Sequence, residues 1–458
     1  MQLTPLPSHW RLGLAGMAAI GVTFGFARYG YGLFLPEFRR EFGLPVSLVG
    51  LIGSASYAGY LVALLLVGGL VARFGPRPLV VAGGLSATVG TALVALAPGP
   101  GTLTAGLVLA GSSSGWAWAP YSDAVDRTVP RPLRARVTGA IATGTAFGVV
   151  LAGPLALVTR DTSWRYAWLV FAALSLVTTV YNARVLPSGP HTPGPGTRGA
   201  GTHGAGTSPS VGVGTGSGAR ARLRHHLRRF ARRAAVPLFL TALLYGLVGA
   251  VYWAFAVEAV VGAAGERSVL VPVFWTLMGL AGTAGVLTGH AIGRHGLRRV
   301  HTGLFTGIAA AVAMLGLAPG SLPAVLGSAV LYGPCFMAGS GLLAVWSHEV
   351  FPEQPSTGFS GTVFFLGLGT LAGPALVGAL AGTYGLRTAL VLTAALGATA
   401  PLVRPHRAMA HRPERGGEPD HDGERDHDGG RDHDGERERQ GIREGERGEA
   451  EAASCCRA

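Results

Sequence analysis

The chain has no lysine, three cysteines, and charged residues at only 13% of its 458 positions. Each shortage excludes something. Without lysine, and with its arginines beside apolar runs or in low-complexity segments, the formal net charge of +13 does not describe a nucleic-acid binder. No nucleic-acid partner is expected, and a basic face lying on anionic lipid accounts for the charge better. Three cysteines make no disulfide framework. Cys335 sits in an apolar run as a small packing residue. Cys455 and Cys456 end the chain in Cys-Cys-Arg-Ala, where Arg457 spoils the aliphatic pattern of a prenylation box. The scarcity of charge beside 49% hydrophobic residues excludes an ordinary soluble enzyme. A nucleotide-binding loop, a zinc-ligand cluster and a catalytic constellation are all missing, so no enzyme, cofactor or metal is expected and an ATP-driven pump is disfavoured. The N-terminal segment has no small-residue cleavage site, and its first apolar run is too long for a signal-peptide core.

What the chain does have is twelve apolar runs. They lie near residues 12–35, 48–72, 78–97, 102–124, 136–158, 164–186, 236–261, 269–292, 299–318, 322–347, 357–381 and 386–403. Each approaches the ~20 residues that cross the ~30 Å hydrocarbon core as a helix. A helix satisfies its own backbone polar groups, which lipid cannot do. Gly, Ala, Ser and Thr within the runs let neighbouring helices come close.

The runs are built twice. Gly68, Arg73, Gly75 and Arg77 between the second and third runs return 221 residues later as Gly289, Arg294, Gly296 and Arg298. Leu96-Ala97-Pro98-Gly99 is echoed by Leu317-Ala318-Pro319-Gly320, and Leu151-Ala152-Gly153-Pro154 by Leu371-Ala372-Gly373-Pro374. Tyr31, Phe34 and Glu37 match Tyr252, Phe255 and Glu258. Four marks in one order at nearly one spacing indicate an internal repeat.

Arginine placement orients the runs. With the N-terminus inside, the short inner loops hold Arg73, Arg77, Arg127, Arg131, Arg134, Arg136, Arg294, Arg298 and Arg299. The outer loops hold fewer: Arg39, Arg40, Arg160, Arg165, Arg267 and Arg387. Both termini are therefore expected in the cytoplasm of a multi-pass plasma-membrane protein. Residues 187–219 are Gly, Pro, Ser and Thr and read as a flexible linker. In residues 220–234, Leu223, Leu227, Phe230 and Ala234 recur at helical spacing among arginines, the pattern of a basic amphipathic helix on membrane lipid. Residues 405–458 repeat Asp-His-Asp-Gly-x-Arg and read as a disordered charged tail.

Two six-helix halves, a long linker and paired turns resemble the major facilitator superfamily of transporters. The resemblance spans about residues 10–403 apart from the linker. Gly68, Leu70, Arg73, Gly75 and Arg77 match the superfamily signature between helices two and three, but Ala72 replaces its acid and Gly293 stands there in the second copy. That acid helps latch the inner gate in the family, so the latch must differ here. Asp123 and Asp126 are candidate partners for Arg73 and Arg77. Gly139, Gly148, Gly153 and Pro154 resemble the antiporter signature with one spacing off by a residue, and Gly369, Gly373 and Pro374 give a cleaner copy in the eleventh helix. The family's fourth-helix arginine is replaced by Gly111.

The resemblance implies an all-α integral membrane fold of twelve transmembrane helices in two pseudo-symmetric six-helix bundles, residues 1–186 and 235–404. It implies a secondary transporter for a small molecule, expected to be monomeric, working by proton-coupled efflux. One alternative is uptake of an organic anion, and another is a transporter-like sensor or scaffold.

Arg28, in Phe24-Gly25-Phe26-Ala27-Arg28-Tyr29-Gly30-Tyr31, carries a charge inside the first run. A charge facing lipid at that depth costs at least ~2–3 kcal/mol, so it should face a cavity or a partner. Structural pairing with Glu37 or Glu258 is the competing reading. On a regular helix Phe24, Arg28 and Tyr31 share a face. Trp116 on the fourth run and Tyr252 and Trp253 on the seventh join them as expected cavity residues, since helices one, four, seven and ten line the cavity in this superfamily. Asp123 is the candidate carrier of a coupling proton, although its depth differs from that of Arg28 by roughly 20 Å.

Overall fold

The computed structural model describes residues 7–189, 235–265, 269–352 and 355–403. The expected amphipathic helix at 220–234 and the tail at 405–458 lie outside the described residues. All twelve apolar runs are helical. The first six are α1 (Ser8–Arg28), α2 (Val46–Phe74), α3 (Pro76–Ala95), α4 (Pro100–Ser113, then Trp118–Thr128), α5 (Arg131–Thr159) and α6 (Trp164–Val185). The second six are α7 (Ala235–Ala264), α8 (Leu270–His295), α9 (Leu297–Leu317), α10 (Leu322–Val350), α11 (Pro355–Tyr384) and α12 (Leu386–Gly397). Ten are long and apolar enough to cross a membrane by themselves; α12 is shorter, and α4 is broken by a 3-10 turn at Ser114–Trp116. Exposed Val62, Leu65, Val158, Val177 and Leu376 place an apolar surface on the outside, as lipid requires.

Helix packing repeats as the sequence does. Within the first half α3 packs on α6 and α4, α2 on α4, and α1 on α5; within the second α9 packs on α12 and α10, α8 on α10, and α7 on α11. The two most extensive pairings between the halves are α2 with α11 and α5 with α8, and the repeat exchanges one for the other; α7 also packs on Gly30–Leu33 and Leu35–Phe42. Apolar burial gains little between helices in lipid, so close packing and polar contacts must hold such pairs. Glycine supplies the closeness. A Cβ on Gly50 of α2 would lie 2.2 Å from the Pro374 carbonyl oxygen of α11, and one on Gly25 of α1 would lie 2.5 Å from the Gly148 Cα of α5. Pro374 cannot continue the α11 ladder cleanly, and the Ala375 N–H next to it donates across the halves to Ser54 Oγ at 2.9 Å.

Both copies of the repeated turn end their helices in one way. Gly75 closes α2 at φ 79°, ψ 179°, and Gly296 closes α8 at φ 79°, ψ 152°. Only glycine adopts that region freely, which is why the turn keeps it twice. We call this the turn end of the molecule. At the other end Arg39, on the short helix Leu35–Phe42, pairs with Glu258 of α7 and donates from Nε to the Leu44 carbonyl at 3.2 Å. Partial burial pulls the Arg39 pKa down, with Tyr31 pushing it back, and an arginine so placed stays charged. Nearby, Glu41 accepts from Trp164 Nε1 and Arg165 Nη2, each at 2.5 Å, within the first half.

The α1–α5 contact makes a sharp prediction. A side chain at Gly148 would begin 2.4 Å from the Gly21 carbonyl oxygen, whereas one at Gly139 meets nothing within 4 Å. Gly148→Leu should lower the thermal unfolding midpoint of the detergent-purified protein, at a cost of about 1–3 kcal/mol or more. Gly139→Leu should leave the midpoint nearly unchanged, and equal effects would contradict the packing.

Candidate functional site

The site begins with an irregular helix. From Gly21 to Arg28 α1 is wound as a π-helix, and the Tyr29 N–H bonds to the Phe24 carbonyl five residues back at 3.0 Å. Such wide turns are rare and occur often at functional sites. The regular 3.6-residue face expected for Phe24, Arg28 and Tyr31 is therefore not formed. Phe24 stays beside Arg28, but Tyr29 replaces Tyr31 there. Tyr31 turns to α2 instead, donating its hydroxyl to the Val49 carbonyl at 2.6 Å and packing on Phe38.

Arg28 is 7% exposed and sits in an aromatic cage. Its guanidinium carbon lies 3.9 Å from the Tyr60 ring centre, 4.9 Å from Tyr57, 5.4 Å from Phe24 and 5.8 Å from Tyr29. Nη1 donates to Ser114 Oγ at 3.4 Å, and the buried Nε–H has no hydrogen-bond partner. Ser114 reaches it from the break in α4, its hydroxyl also bonding the Gly111 carbonyl at 3.0 Å. Among the described residues no carboxylate pairs with Arg28: Glu258 is taken by Arg39, Glu41 by Arg165, Asp123 by Arg127 at 2.7 Å and Asp126 by Arg134 at 3.1 Å. Aromatic faces stabilise a cation by about 0.5–2 kcal/mol each but cannot neutralise it. Among the described residues the cage contains no anionic side chain.

The second half meets this cage through one stacked pair. Trp253 of α7 lies flat on Tyr29, with ring centres 4.0 Å apart, and its neighbours Tyr332 and Phe336 of α10 pack edge-on against it. The backbones are as close: a Cβ on Gly32 would fall 1.7 Å from the Trp253 carbonyl oxygen. Trp253 Nε1 is also buried without a partner. Phe24 and Phe336 keep part of their surface open.

Two other expected cavity residues lie apart. Tyr252 is fully buried, its hydroxyl sharing a hydrogen bond with Ser328 at 2.7 Å and its ring stacked 3.6 Å from Tyr332. Trp116 packs with Val67, Val71 and Leu79 of α2 and α3, toward the turn end. Sequence reasoning overlooked Tyr57 and Tyr60, although a pair of tyrosines three apart in an otherwise apolar helix marks one face. The glycine at 111 is explained by packing: a Cβ there would lie 2.1 Å from Ser56 Oγ of α2, leaving no room for an arginine.

The turn residues need one correction. Asp123 and Asp126 do not meet Arg73 or Arg77, because their nearer partners Arg127 and Arg134 hold them. Arg73 lies over the Phe74 ring at 5.2 Å, and Arg77 donates to Ser188 Oγ at 2.7 Å. Gly68 is half-buried about two turns before the end of α2, while Gly289, Arg294 and Arg298 are exposed around the second turn. Of the antiporter-like glycines, Gly139 faces open space and the others are packing sites. Gly148 faces α1, Gly153 faces Thr276 of α8 across the halves beside Pro154, and Gly369 and Gly373 face Leu243 and Leu247 of α7.

Known proteins agree with this architecture. The profile of the Major Facilitator Superfamily matches residues 17–367. The gentisate transporter of Corynebacterium glutamicum is 26% identical over 162 residues, 34% of this chain and 36% of that protein. Monocarboxylate transporter 11 of Homo sapiens is 30% identical over 196 residues, 40% of this chain and 41% of that protein. The chain thus spans well under half the length of these curated relatives. Among solved structures, a bacterial homologue of the human lysosomal transporter Spinster, inward-facing and unoccupied, superposes with a TM-score of 0.64 at 16% identity, covering 87% of this chain and 97% of that one. The nucleoside transporter NupG superposes with a TM-score of 0.65 at 11% identity, covering 87% and 98%. With twelve helices among the described residues in two exchangeable halves and a family match over most of its length, this chain is a multi-pass membrane transporter of the Major Facilitator Superfamily, not an enzyme.

Proposed function

We propose that the protein is a secondary carrier moving a small organic anion, an aromatic or other monocarboxylate, by alternating access, with Arg28 as the carboxylate's partner. One observation carries the reading: a buried guanidinium with an unsatisfied N–H and no described carboxylate beside it. An unsatisfied buried donor costs about 1–3 kcal/mol, and a buried charge without a counter-ion costs more. A carboxylate would relieve both, and the rings of Phe24, Tyr57, Tyr60 and Phe336 suit an aromatic body. The names of two relatives, a gentisate and a monocarboxylate transporter, fit that class. The arginine-rich turn end is taken as cytoplasmic, with both termini there and the protein in the plasma membrane. The Arg39–Glu258 pair and the Gly32–Trp253 contact then close the outer side, and transport requires them to part.

Proton-coupled efflux is the second reading, favoured by Gly148, Gly153 and Pro154 packing where α5 meets α1 and α8. It needs a titrating acid near the site, and the described acids Glu41, Asp123, Asp126, Asp161 and Glu258 each pair with an arginine other than Arg28.

A ligand screen by thermal shift separates the two. Small aromatic carboxylates at about 100 times their Kd should stabilise the protein by about 2.7 kcal/mol. Arg28→Gln should abolish that shift while leaving the ligand-free protein folded. If lipophilic cations or neutral amphipaths stabilise both proteins equally, the anion reading fails and drug-type efflux gains. A lack of any ligand would favour a sensor or scaffold.

The closed end is tested by charge reversal. With Cys455 and Cys456 replaced by serine, spin labels at exposed Asp161 and Thr383 report the separation of the halves there. Arg39→Glu or Glu258→Arg alone should lengthen and broaden the distances, and the double reversal should restore them. If the double variant is no closer to wild type than the singles, the pair is not a gate.

A further inference from the structure

The repeated turns are alike in backbone but not in what covers them. After α6 the chain runs through Leu186, buried among Val80, Tyr121 and Val125, and then lays Ser188 and Gly189 over the first turn. Arg77 Nη1 donates to Ser188 Oγ at 2.7 Å. Arg127, already ion-paired with Asp123, donates from Nη1 to the Gly189 carbonyl at 2.8 Å. Gly75 comes so close that a Cβ there would lie 2.1 Å from the same Gly189 oxygen. Gly189 itself takes φ 91°, which turns the chain across the site. Among the described residues, a Cβ on Gly296 at the second turn would meet nothing within 4 Å, and Arg294 and Arg298 have no ion pair.

We propose that Ser188–Gly189 is a docking strap, and that the basic face of Arg77 and Arg127 is the surface that receives it. The strap gives Arg77 an acceptor in a turn that has no acid of its own, since Ala72 stands between Val71 and Arg73. Three contacts from three elements meet it: Gly75 after α2, Arg77 in α3 and Arg127 in α4. Two donor bonds from guanidinium groups, each charge-assisted, hold it more firmly than neutral bonds would. Ser188 and Gly189, just after α6, are thereby tied to the end of α2. Because α2 is also packed against α11 across the halves, a pull or a partner acting on them bears directly on a helix of the transport interface.

The test uses the full-length protein carrying Ser188→Cys and measures alkylation of that thiol against pH. The tryptic peptide from Val185 to Arg198 isolates it from Cys335, Cys455 and Cys456. A thiol beside a guanidinium ionises below its ordinary value of about 8.5. The docked strap therefore predicts a midpoint lowered by about half a unit to one unit, or roughly three- to tenfold faster labelling at pH 7. Adding Arg77→Gln should return the midpoint to the ordinary value, and Arg127→Gln, which frees Gly189, should shift it the same way. Arg298→Gln, at the equivalent place in the second turn, should change nothing. Identical midpoints with and without Arg77, or an equal shift from Arg298→Gln, would overturn the proposal.

Discussion

Contact between helix backbones is the constraint on which this structure rests. In lipid, burial of apolar side chains gains little, so helices that must stay together have to touch closely and trade polar groups. The touching points are where side chains are missing: Gly25 on Gly148, Gly50 on Pro374, Gly153 on Thr276, Gly373 on Leu247. Those residues belong to α1, α2, α5, α7, α8 and α11, and their contacts include the two most extensive pairings between the halves. The same glycines that read as a transport signature are thus first a packing device. Their use in a moving protein follows, because smooth close-packed surfaces can slide or part without unlocking bulky side chains.

Arg28 is the counterpoint. The fold could have placed any apolar residue in that cage, and a well-packed hydrophobic group commonly costs less than a buried charge. Instead it devotes Tyr57, Tyr60, Phe24 and Tyr29 to surrounding a cation, widens α1 into a π-helix at that point and breaks α4 to bring Ser114. Tyr29 then stacks on Trp253 and meets Phe336 edge-on, so the cage is coupled to the second half through aromatic contacts.

Much of this was legible in the residues. The apolar runs became helices because lipid permits little else, and the 221-residue echo became the exchange of packing partners. Arg28 stood out as a charge where charge is expensive. What could not be read was local winding: no residue between Gly21 and Arg28 announces a π-helix, so the face holding Tyr31 was misplaced. Arg127 lies four residues after Asp123, the ordinary helical pairing distance, and takes it in place of Arg73. Tyr57 and Tyr60 stand on α2, which is not among the helices the resemblance assigns to the cavity.

If Arg28 holds the substrate as proposed, a positive charge with no carboxylate partner among the described residues also has an electrical consequence. A carrier holding a monoanion on Arg28 is locally neutral, and the same carrier empty bears one net charge. Each elementary charge carried through the full field exchanges about 2.3 kcal/mol per 100 mV. Membrane voltage would therefore act on the reorientation of the empty protein and largely spare the loaded one. The resting potential, rather than substrate concentration alone, would then set how long the site waits on each side.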